Sequence, residues 1–332
     1  MSSTQKITVI GGSGFVGTNF CQLLADRQIP FEIIDLKLSQ RFPERCRTGD
    51  VRDLGSLRAT VTGNVVVNLA AVHRDDIRDK EEYTRTNVLG AENTAKICSE
   101  KGIRKIVFTS TVAVYGFAEP GTDETGPINP FNEYGRTKFA AEEHLRAWRD
   151  ADDANKLLIV RPTVIFGEGN RGNVYNLLNQ IASGRFVMIG NGQNRKSMAY
   201  IGNIVAFLKA CVDSDRHYGL YNYVDTPDMD MNTLVSEVRR VLSNKDGVGP
   251  RLPYGLGLIL GYAADGVARI TGRTLPVSSI RIRKFCTSTA FSSAKQELDS
   301  FKAPYKLSEG IERTLQSEFL SPDSSREIFF TE

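Results

Sequence analysis

The chain has 332 residues, of which 41% are apolar and 24% charged. These values are typical of a globular protein and exclude global disorder, a collagen-like repeat and a disulfide mini-scaffold. Lys and Arg together number 42 and Asp and Glu 39, so the net charge of +3 gives no reason to expect a nucleic-acid partner.

The cysteine pattern predicts a reducing, cytoplasmic location. The cysteines are Cys21, Cys46, Cys98, Cys211 and Cys286. Their number is odd and none forms a C-x-x-C pair, which favours buried, reduced thiols. The N-terminus lacks the charged and apolar regions of a signal peptide.

Neither a metal site nor a membrane span is expected. The spacing of His73, His144 and His217 is not that of metal ligands. The apolar stretch Tyr254–Ile270 is short, rich in glycine and interrupted by charged residues. It therefore predicts a buried or half-buried helix rather than a membrane span.

Near-continuous apolar runs alternate with helical patterns in the first half of the chain. The predicted strands are Lys6–Ile10, Phe31–Asp35, Val65–Ala71, Arg104–Ser110 and Lys156–Arg161. The predicted helices are Phe15–Arg27, Asp53–Val61, Glu81–Lys101 and Tyr134–Arg149. Strands buried on both faces and separated by helices predict an α/β fold with a doubly wound parallel sheet of the Rossmann type.

The regular alternation fades after about Gly167. The pattern there predicts helices over Val174–Ser183 and Ile201–Val212, a short strand over Phe186–Gly190 and a strand returning to the sheet over Leu220–Val224. From Thr226 the chain reads as mainly helical, with turns at Gly247–Pro250 and Arg273–Pro276. We therefore expect a Rossmann domain over 1–167, rejoined by about 198–224, and a smaller, mainly helical lobe over 168–197 and 225–332.

A glycine-rich loop joins the first predicted strand to the first helix. Its glycines are Gly11, Gly14 and Gly17. Such a loop lets the backbone approach a pyrophosphate, and the helix that follows presents free N–H groups to it. Asp35 ends the second strand, where a carboxylate binds a ribose 2′-hydroxyl and repels a 2′-phosphate. The pattern favours NAD, although Lys37 and Arg41 leave NADP open.

The motif GDVRD places Asp50 and Val51 between the second and third of these strands. We expect them at the adenine edge of the cofactor. Asp53 in the same motif fits the N-cap of the following helix.

Tyr134 and Lys138 form a Y-x-x-x-K pair, so that they share one face of a helix. The lysine charge is expected to lower the tyrosine pKa from about 10 toward neutrality, giving a general base for alcohol–ketone interconversion. Ser110 and Thr111 end the fourth strand, where one of them can hold a substrate oxygen beside Tyr134.

Together these motifs resemble those of the extended short-chain dehydrogenases, the NAD-dependent epimerase/dehydratase family of nucleotide-sugar enzymes. The matching residues are Gly11, Gly14, Gly17, Asp35, Asp50, Val51, Asn68–Ala71, Asn87, Thr111, Tyr134, Lys138, Arg161 and Pro162. Further segments at 190–205 and 291–311 resemble the family's diphosphate-binding segment and the end of its C-terminal lobe.

The resemblance implies roles for individual residues. Thr111, Tyr134 and Lys138 become the catalytic residues, and Lys138 also bridges the nicotinamide ribose. The resemblance also implies further cofactor contacts. Phe15 and Val16 would lie at the pyrophosphate, and Leu69 and Ala71 beside the nicotinamide ribose. Ala70 and Asn87 would also bind the cofactor. Arg195 or Lys196 would face the substrate diphosphate, and His73 is as compatible with a substrate contact as with a structural role. The family also implies a homodimer built on Glu81–Lys101 and Tyr134–Arg149.

Two positions depart from the family pattern. Val112 and Ala113 replace the Asp-Glu pair of the 4,6-dehydratases, which argues against dehydration, and Val164 replaces an asparagine found in many epimerases.

The leading hypothesis is an NAD-dependent nucleotide-sugar 4-epimerase, acting on a UDP-hexose or UDP-N-acetylhexosamine through a transient 4-keto intermediate. The alternative is an NAD(P)H-dependent 4-ketoreductase of a nucleotide-linked deoxy sugar in surface-polysaccharide synthesis. A non-catalytic dinucleotide sensor is disfavoured because Thr111, Tyr134 and Lys138 are all present.

Overall fold

A computed structural model describes residues 5–74, 77–272, 277–294 and 298–331. A parallel sheet of seven strands lies at its centre, in the order β10-β6-β5-β4-β1-β2-β3. The strands are β1 (Ile7–Ile10), β2 (Phe31–Asp35), β3 (Cys46–Thr48), β4 (Val65–Asn68), β5 (Lys105–Thr109), β6 (Lys156–Pro162) and β10 (Tyr218–Tyr223). The predicted doubly wound parallel sheet is confirmed.

Helices cover both faces of this sheet. The helices of the first half are α1 (Phe15–Asp26), α2 (Leu54–Thr60), α3 (Glu81–Tyr83), α4 (Gly90–Glu100) and α5 (Glu133–Asp150), and α7 (Ile201–Asp213) follows later in the chain. One apolar cluster packs α1 and α7 against the sheet, and a second packs α2, α4 and α5 against its other face. Burial on both faces explains why the strands are continuously apolar, since all four residues of β1 are buried.

The predicted strands and helices of the first half are present with shifted ends. Strand β4 stops at Asn68, so that 69–71 belong to the loop at the carboxyl edge of the sheet. Asp53 caps α2 by accepting a hydrogen bond from the Gly55 N–H at 2.8 Å, as its motif predicted. The short edge strand β3 was not predicted, because only Cys46 of its three residues is buried.

The predicted return of the chain to the sheet is confirmed. Strand β10 pairs in parallel with β6, with Leu220 opposite Ile159. The segment between them includes α6 (Asn173–Ala182) and the strand pair β7 (Val164–Phe166) and β9 (Met198–Tyr200).

The C-terminal region is mainly helical, as predicted. Its helices are α8 (Met231–Ser243), α9 (Tyr254–Thr271), α10 (Ser279–Cys286) and α11 (Leu307–Leu315). The short strands β8 (Met188–Ile189) and β11 (Arg251–Leu252) pair beside them. The chain bends at Gly247–Pro250, where the first turn was predicted, whereas 273–276, where the second turn was predicted, lie outside the described residues.

Helix α9 differs from its prediction in burial. The helix is present, but only Gly257 and Gly261 are buried, and most of its large apolar side chains are exposed. The sequence could not show this, because an apolar face looks the same whether or not a neighbour covers it. Among the described residues, no helix is both long and apolar enough to cross a membrane.

Candidate active site

The glycine loop between β1 and α1 is tightly closed. Gly11 has a φ of +80° and donates its N–H to the Ile34 carbonyl at 2.8 Å. A Cβ on Gly17 would lie 2.4 Å from the Gly11 carbonyl oxygen, so helix α1 packs directly on the loop. Gly14 starts the helix without a side-chain cap, which leaves first-turn N–H groups for an anion.

The remaining elements of a dinucleotide cradle surround this loop. The Asp35 carboxylate accepts hydrogen bonds from the backbone N–H groups of Ser13 and Lys37, at 3.0 and 3.2 Å, which fixes it beside the loop. Ala70 approaches from the end of β4, since a Cβ on Gly11 would lie 2.6 Å from the Ala70 nitrogen. Because Gly11 has no side chain, the loop leaves space for the pyrophosphate of a dinucleotide. The Asp35 carboxylate, held in place, fits a ribose whose two hydroxyls are free.

Phe15 and Val16 lie in the first turn of α1. The Phe15 ring is buried and lies 5.7 Å from the Phe329 ring, so only its backbone is suited to the predicted pyrophosphate contact. Leu69 leads from β4 into the loop and donates its N–H to the Ile10 carbonyl at 2.8 Å. Ala71 follows at the same sheet edge.

The Asp50 carboxylate forms a two-point ion pair with the Arg52 guanidinium, with distances of 3.0 and 2.8 Å. Hydrogen bonds from Arg52 lower the Asp50 pKa below its usual value. Val51 is buried against Gly90 of α4. An adenine contact at these two residues stays a prediction.

Asn87 bridges the loop after β4 and helix α5. Its amide donates to the Val72 carbonyl and to the Thr137 hydroxyl, both at 3.0 Å, and accepts from the Val72 N–H at 2.9 Å. Both N–H groups of this buried amide are thus used within the protein. Asn87 therefore positions the loop, and a direct cofactor contact stays a prediction.

The structure brings Thr111 and Tyr134 together. Thr111 lies two residues beyond the end of β5, and its hydroxyl accepts the Ala113 N–H at 3.1 Å. Asn132 caps α5 by accepting the Gly135 N–H at 2.9 Å, which places Tyr134 in the first helical turn. The Thr111 hydroxyl lies close enough to the Tyr134 hydroxyl to favour the ionised form of Tyr134. Ser110 is excluded from this pair because it is buried and bonds to Glu142.

Lys138 lies one turn further along α5, and its ammonium stands 4.1 Å from the centre of the Phe108 ring. Only 1% of its surface is exposed, and burial lowers its pKa to about 7. Burial also raises the Tyr134 pKa to about 12, although the hydrogen bond from Thr111 acts against this. The expectation that Lys138 brings the Tyr134 pKa toward neutrality is therefore wrong, because desolvation by burial dominates the pKa of both groups.

His73 lies beside this pair, with its ring centre 6.5 Å from that of Tyr134. Its imidazole is hydrogen-bonded to the backbone of Ala71 and Thr331, and desolvation lowers its pKa. These backbone contacts act against the desolvation and tie the ring to the edge of the site, and a substrate contact stays a prediction.

Arg195 and Lys196 lie beside α10 in the C-terminal region. The Lys196 ammonium donates to the backbone carbonyls of Lys284, at 2.9 Å, and Thr287 at the end of that helix. The Arg195 side chain is exposed, and its backbone is hydrogen-bonded to Thr289 and Ser288.

A buried charge network supports the site and was not predicted from the sequence. The Arg161 guanidinium binds both oxygens of the Glu142 carboxylate, at 2.9 and 2.6 Å, and the Tyr115 hydroxyl at 2.7 Å. Glu142 also accepts a hydrogen bond from Ser110, so it joins the middle of α5 to the carboxyl ends of β5 and β6. Its position four residues after Lys138 was the only signal in the sequence.

Replacement of Lys138 by Met is expected to abolish turnover and to stabilise the cofactor-free protein near pH 7, because Met fills the space without a buried amine. The unfolded wild type binds more protons than the folded protein between pH 7 and 10.5, so wild-type stability rises with pH in that range. Relative to Lys138→Met, the wild type should gain up to about 2.7 kcal/mol between pH 7 and 9. Urea unfolding at both pH values measures this difference.

Lys96→Met on the exposed surface of α4 is the matched control and should show no such gain. A difference between wild type and Lys138→Met that does not change with pH would contradict the lowered Lys138 pKa.

The profile of the NAD dependent epimerase/dehydratase family matches residues 7–223. The chain belongs to this family. It is similar to the N-acetyl-alpha-D-glucosaminyl-diphospho-ditrans,octacis-undecaprenol 4-epimerase of Escherichia coli O157:H7, at 47% identity over 98% of this chain and 99% of the relative.

Solved structures share the fold. The UDP-N-acetylglucosamine 4-epimerase of Methanobrevibacter ruminantium M1, in complex with UDP-N-acetylmuramic acid, has a TM-score of 0.74 at 20% identity, covering 96% of this chain and 99% of that one. MoeE5 in complex with UDP-glucose and NAD has a TM-score of 0.72, also at 20% identity, covering 95% and 99%.

The predicted family, fold and cofactor are thereby confirmed, and the chain is an NAD-dependent enzyme of the epimerase type. Gly11, Gly14, Gly17 and Asp35 are the residues suited to hold NAD in the cradle described above.

Proposed function

We propose that this chain is a 4-epimerase of an N-acetylhexosamine held on a diphosphate, and that the carrier is a polyprenol. The observation that carries the activity is the hydroxyl pair of Thr111 and Tyr134, placed at the carboxyl edge of the sheet beside the dinucleotide cradle. The 47% identity to a 4-epimerase over nearly the whole chain supports the choice of C4.

The residues divide the proton chemistry between them. Thr111 donates a hydrogen bond to the C4 oxygen, and Tyr134 accepts the proton of the C4 hydroxyl and later returns it. NAD, when bound, would supply a nicotinamide that accepts the hydride from C4 and later returns it. The 4-keto sugar turns in the pocket between the two transfers, so that the hydride returns to its opposite face and no net redox change occurs.

Lys138 contributes positive charge beside Tyr134. In the cofactor-free protein, burial holds the Tyr134 pKa at about 12 and that of Lys138 at about 7, which favours neutral side chains. A positive charge beside Tyr134 favours the tyrosinate, so the charged form of Lys138 supports Tyr134 in its role as the base.

The name of the E. coli relative specifies a sugar on undecaprenyl diphosphate, and we transfer this carrier to the present chain. A nucleotide-linked sugar presents the same diphosphate and is the alternative. Arg195 is the better candidate for binding the diphosphate, because the Lys196 ammonium is already held by two carbonyl groups.

The test is a time course with N-acetylglucosaminyl-diphospho-undecaprenol in detergent and, separately, UDP-N-acetylglucosamine, with trace NAD and no reductant. We expect the lipid-linked sugar to reach an equilibrium of both C4 epimers without accumulation of NADH. Conversion of the UDP-sugar alone would overturn the polyprenol carrier but not the 4-epimerase. Conversion of neither, with NADH oxidised by a 4-keto-6-deoxy sugar nucleotide, would identify a ketoreductase.

The setting we propose is bacterial surface-polysaccharide synthesis on the cytoplasmic side. All five cysteines are free thiols, which suits a reducing compartment. We also propose a homodimer through α4 and α5. Their outer faces carry charged side chains such as Lys96 and Glu143, so such an interface would be polar, and light scattering measures its mass.

A further inference from the structure

Helix α9 carries a continuous stripe of exposed apolar side chains. The stripe comprises Leu256, Ile259, Leu260, Ala263, Val267 and Ile270, with Ile280 of α10 beside it. Exposure is 64% for Ile259 and 88% for Ile270. The spacing places the α9 residues on one helical face, whereas monomeric proteins rarely leave such a patch uncovered.

The opposite face of α9 anchors the helix to the protein. A Cβ on Gly261 would lie 2.8 Å from Ser279 of α10, and one on Gly257 would lie 2.7 Å from Ile189 of β8. The Ser279 N–H also donates to the Asp265 carboxylate at 3.2 Å. The fold therefore holds α9 by its glycine face, and the apolar stripe makes no comparable contribution to the core.

Basic side chains accompany the stripe. The two helices carry Arg269, Arg281, Arg283 and Lys284, all exposed, against the single carboxylate of Asp265. An apolar face on helices with a net positive charge complements a bilayer that contains anionic phospholipid, where basic residues are attracted to the surface and apolar ones enter the interface.

We propose that α9 and α10 dock the enzyme on an anionic phospholipid bilayer, with the apolar stripe in the headgroup region and the helix parallel to the surface. This proposal rests on the proposed function, because a polyprenyl diphosphate presents its sugar at that surface. The proposed helix lies on the membrane surface and does not cross the bilayer. No helix among the described residues is long and apolar enough to do so.

The position of α10 connects this surface to Arg195, the proposed diphosphate residue. The last turn of α10 holds the Lys196 ammonium, and Thr289, three residues beyond the helix, donates its N–H to the Arg195 carbonyl at 2.9 Å. The candidate diphosphate residue therefore lies next to the docking helices. A lipid-linked diphosphate would reach Arg195 without its polyprenyl chain leaving the bilayer.

Vesicle sedimentation of the full chain, without sugar substrate, tests the docking. Vesicles of phosphatidylcholine alone are compared with vesicles containing 30% phosphatidylglycerol. We expect strong binding to the anionic vesicles, weakened by high salt. Ile259→Glu with Leu260→Glu should lower the ratio of bound to free protein at least ten-fold, and Arg269→Glu with Lys284→Glu should remove the preference for anionic lipid.

Leu38→Glu with Leu320→Glu adds the same charges at exposed apolar positions elsewhere and should bind like the wild type. Thermal unfolding confirms that each variant is folded. Wild-type protein that stays in the supernatant, or an Ile259/Leu260 variant that binds as well as the wild type, would overturn the docking. The docking would also be overturned if the Ile259/Leu260 variant kept its vesicle binding and lost self-association. The stripe would then be an interface between copies of this chain.

A water-soluble substrate with a short prenyl chain separates the two proposals. Epimerisation of this substrate by a protein that fails to bind vesicles would leave the proposed function intact and refute the docking. Vesicle binding without epimerisation of any substrate would refute the function alone.

Discussion

Tyr134→Phe is expected to lower kcat by about 10³-fold, because it removes the hydroxyl that exchanges a proton with the C4 oxygen. This corresponds to about 4 kcal/mol of transition-state stabilisation. The ring and the helix remain, so NAD should bind with little change in Kd. Steady-state kinetics and calorimetric titration with NAD measure the two effects.

Tyr175→Phe is the matched control. Tyr175 lies in α6, whereas Tyr134 lies in α5, and the centre of the Tyr175 ring is 5.6 Å from that of Phe319, on which it stacks. The Tyr175 hydroxyl should therefore not matter for turnover. Substantial turnover in Tyr134→Phe would disprove Tyr134 as the base. A simultaneous loss of NAD binding would instead show that the substitution disturbs the cradle.

Glu142→Gln is expected to destabilise the protein by about 3–5 kcal/mol, because it leaves the buried Arg161 guanidinium without a counter-charge. Arg161 is 1% exposed and Glu142 is completely buried. The negative charge of Glu142 also supports protonation of Lys138, so the Lys138 pKa should fall further in this variant. Urea unfolding measures the first effect and the pH dependence of unfolding the second.

Two further variants control this prediction. Glu143→Gln neutralises the neighbouring, exposed carboxylate and should change the free energy of unfolding by less than about 1 kcal/mol. Glu142→Met combined with Arg161→Met removes both buried charges and should recover part of the stability. A cost below about 1 kcal/mol for Glu142→Gln would show that the network is not stabilising.

The sequence was sufficient for the parts of the fold that depend on local pattern. Continuous apolar runs located the central strands, and the turn after β1 located the cradle because its glycines are adjacent in the chain. Tyr134 and Lys138 could be paired because four residues make one helical turn. Thr111 could be added because the strands end at a common edge.

Other features depend on contacts between distant residues and could not be predicted. The raised Tyr134 pKa follows from burial, which the one-turn spacing to Lys138 does not reveal. Arg161 and Glu142 meet only because β6 lies beside α5. The exposure of α9 depends on whether other elements of the fold pack on its apolar face. The run of apolar residues in its sequence is the same as that of a helix buried in the core.

The pairing of β10 with β6 has a consequence for biosynthesis. About 55 residues separate these strands, so the β6 edge of the sheet stays unpaired while the ribosome produces the intervening segment. An open strand edge is a site for pairing with other chains. The seven-stranded sheet can be completed only after Tyr223, the last residue of β10, has been synthesised. At that point about two-thirds of the chain has been made. The middle of translation, after β6 has been made and before β10 has been made, is therefore the period in which this edge is exposed to aggregation.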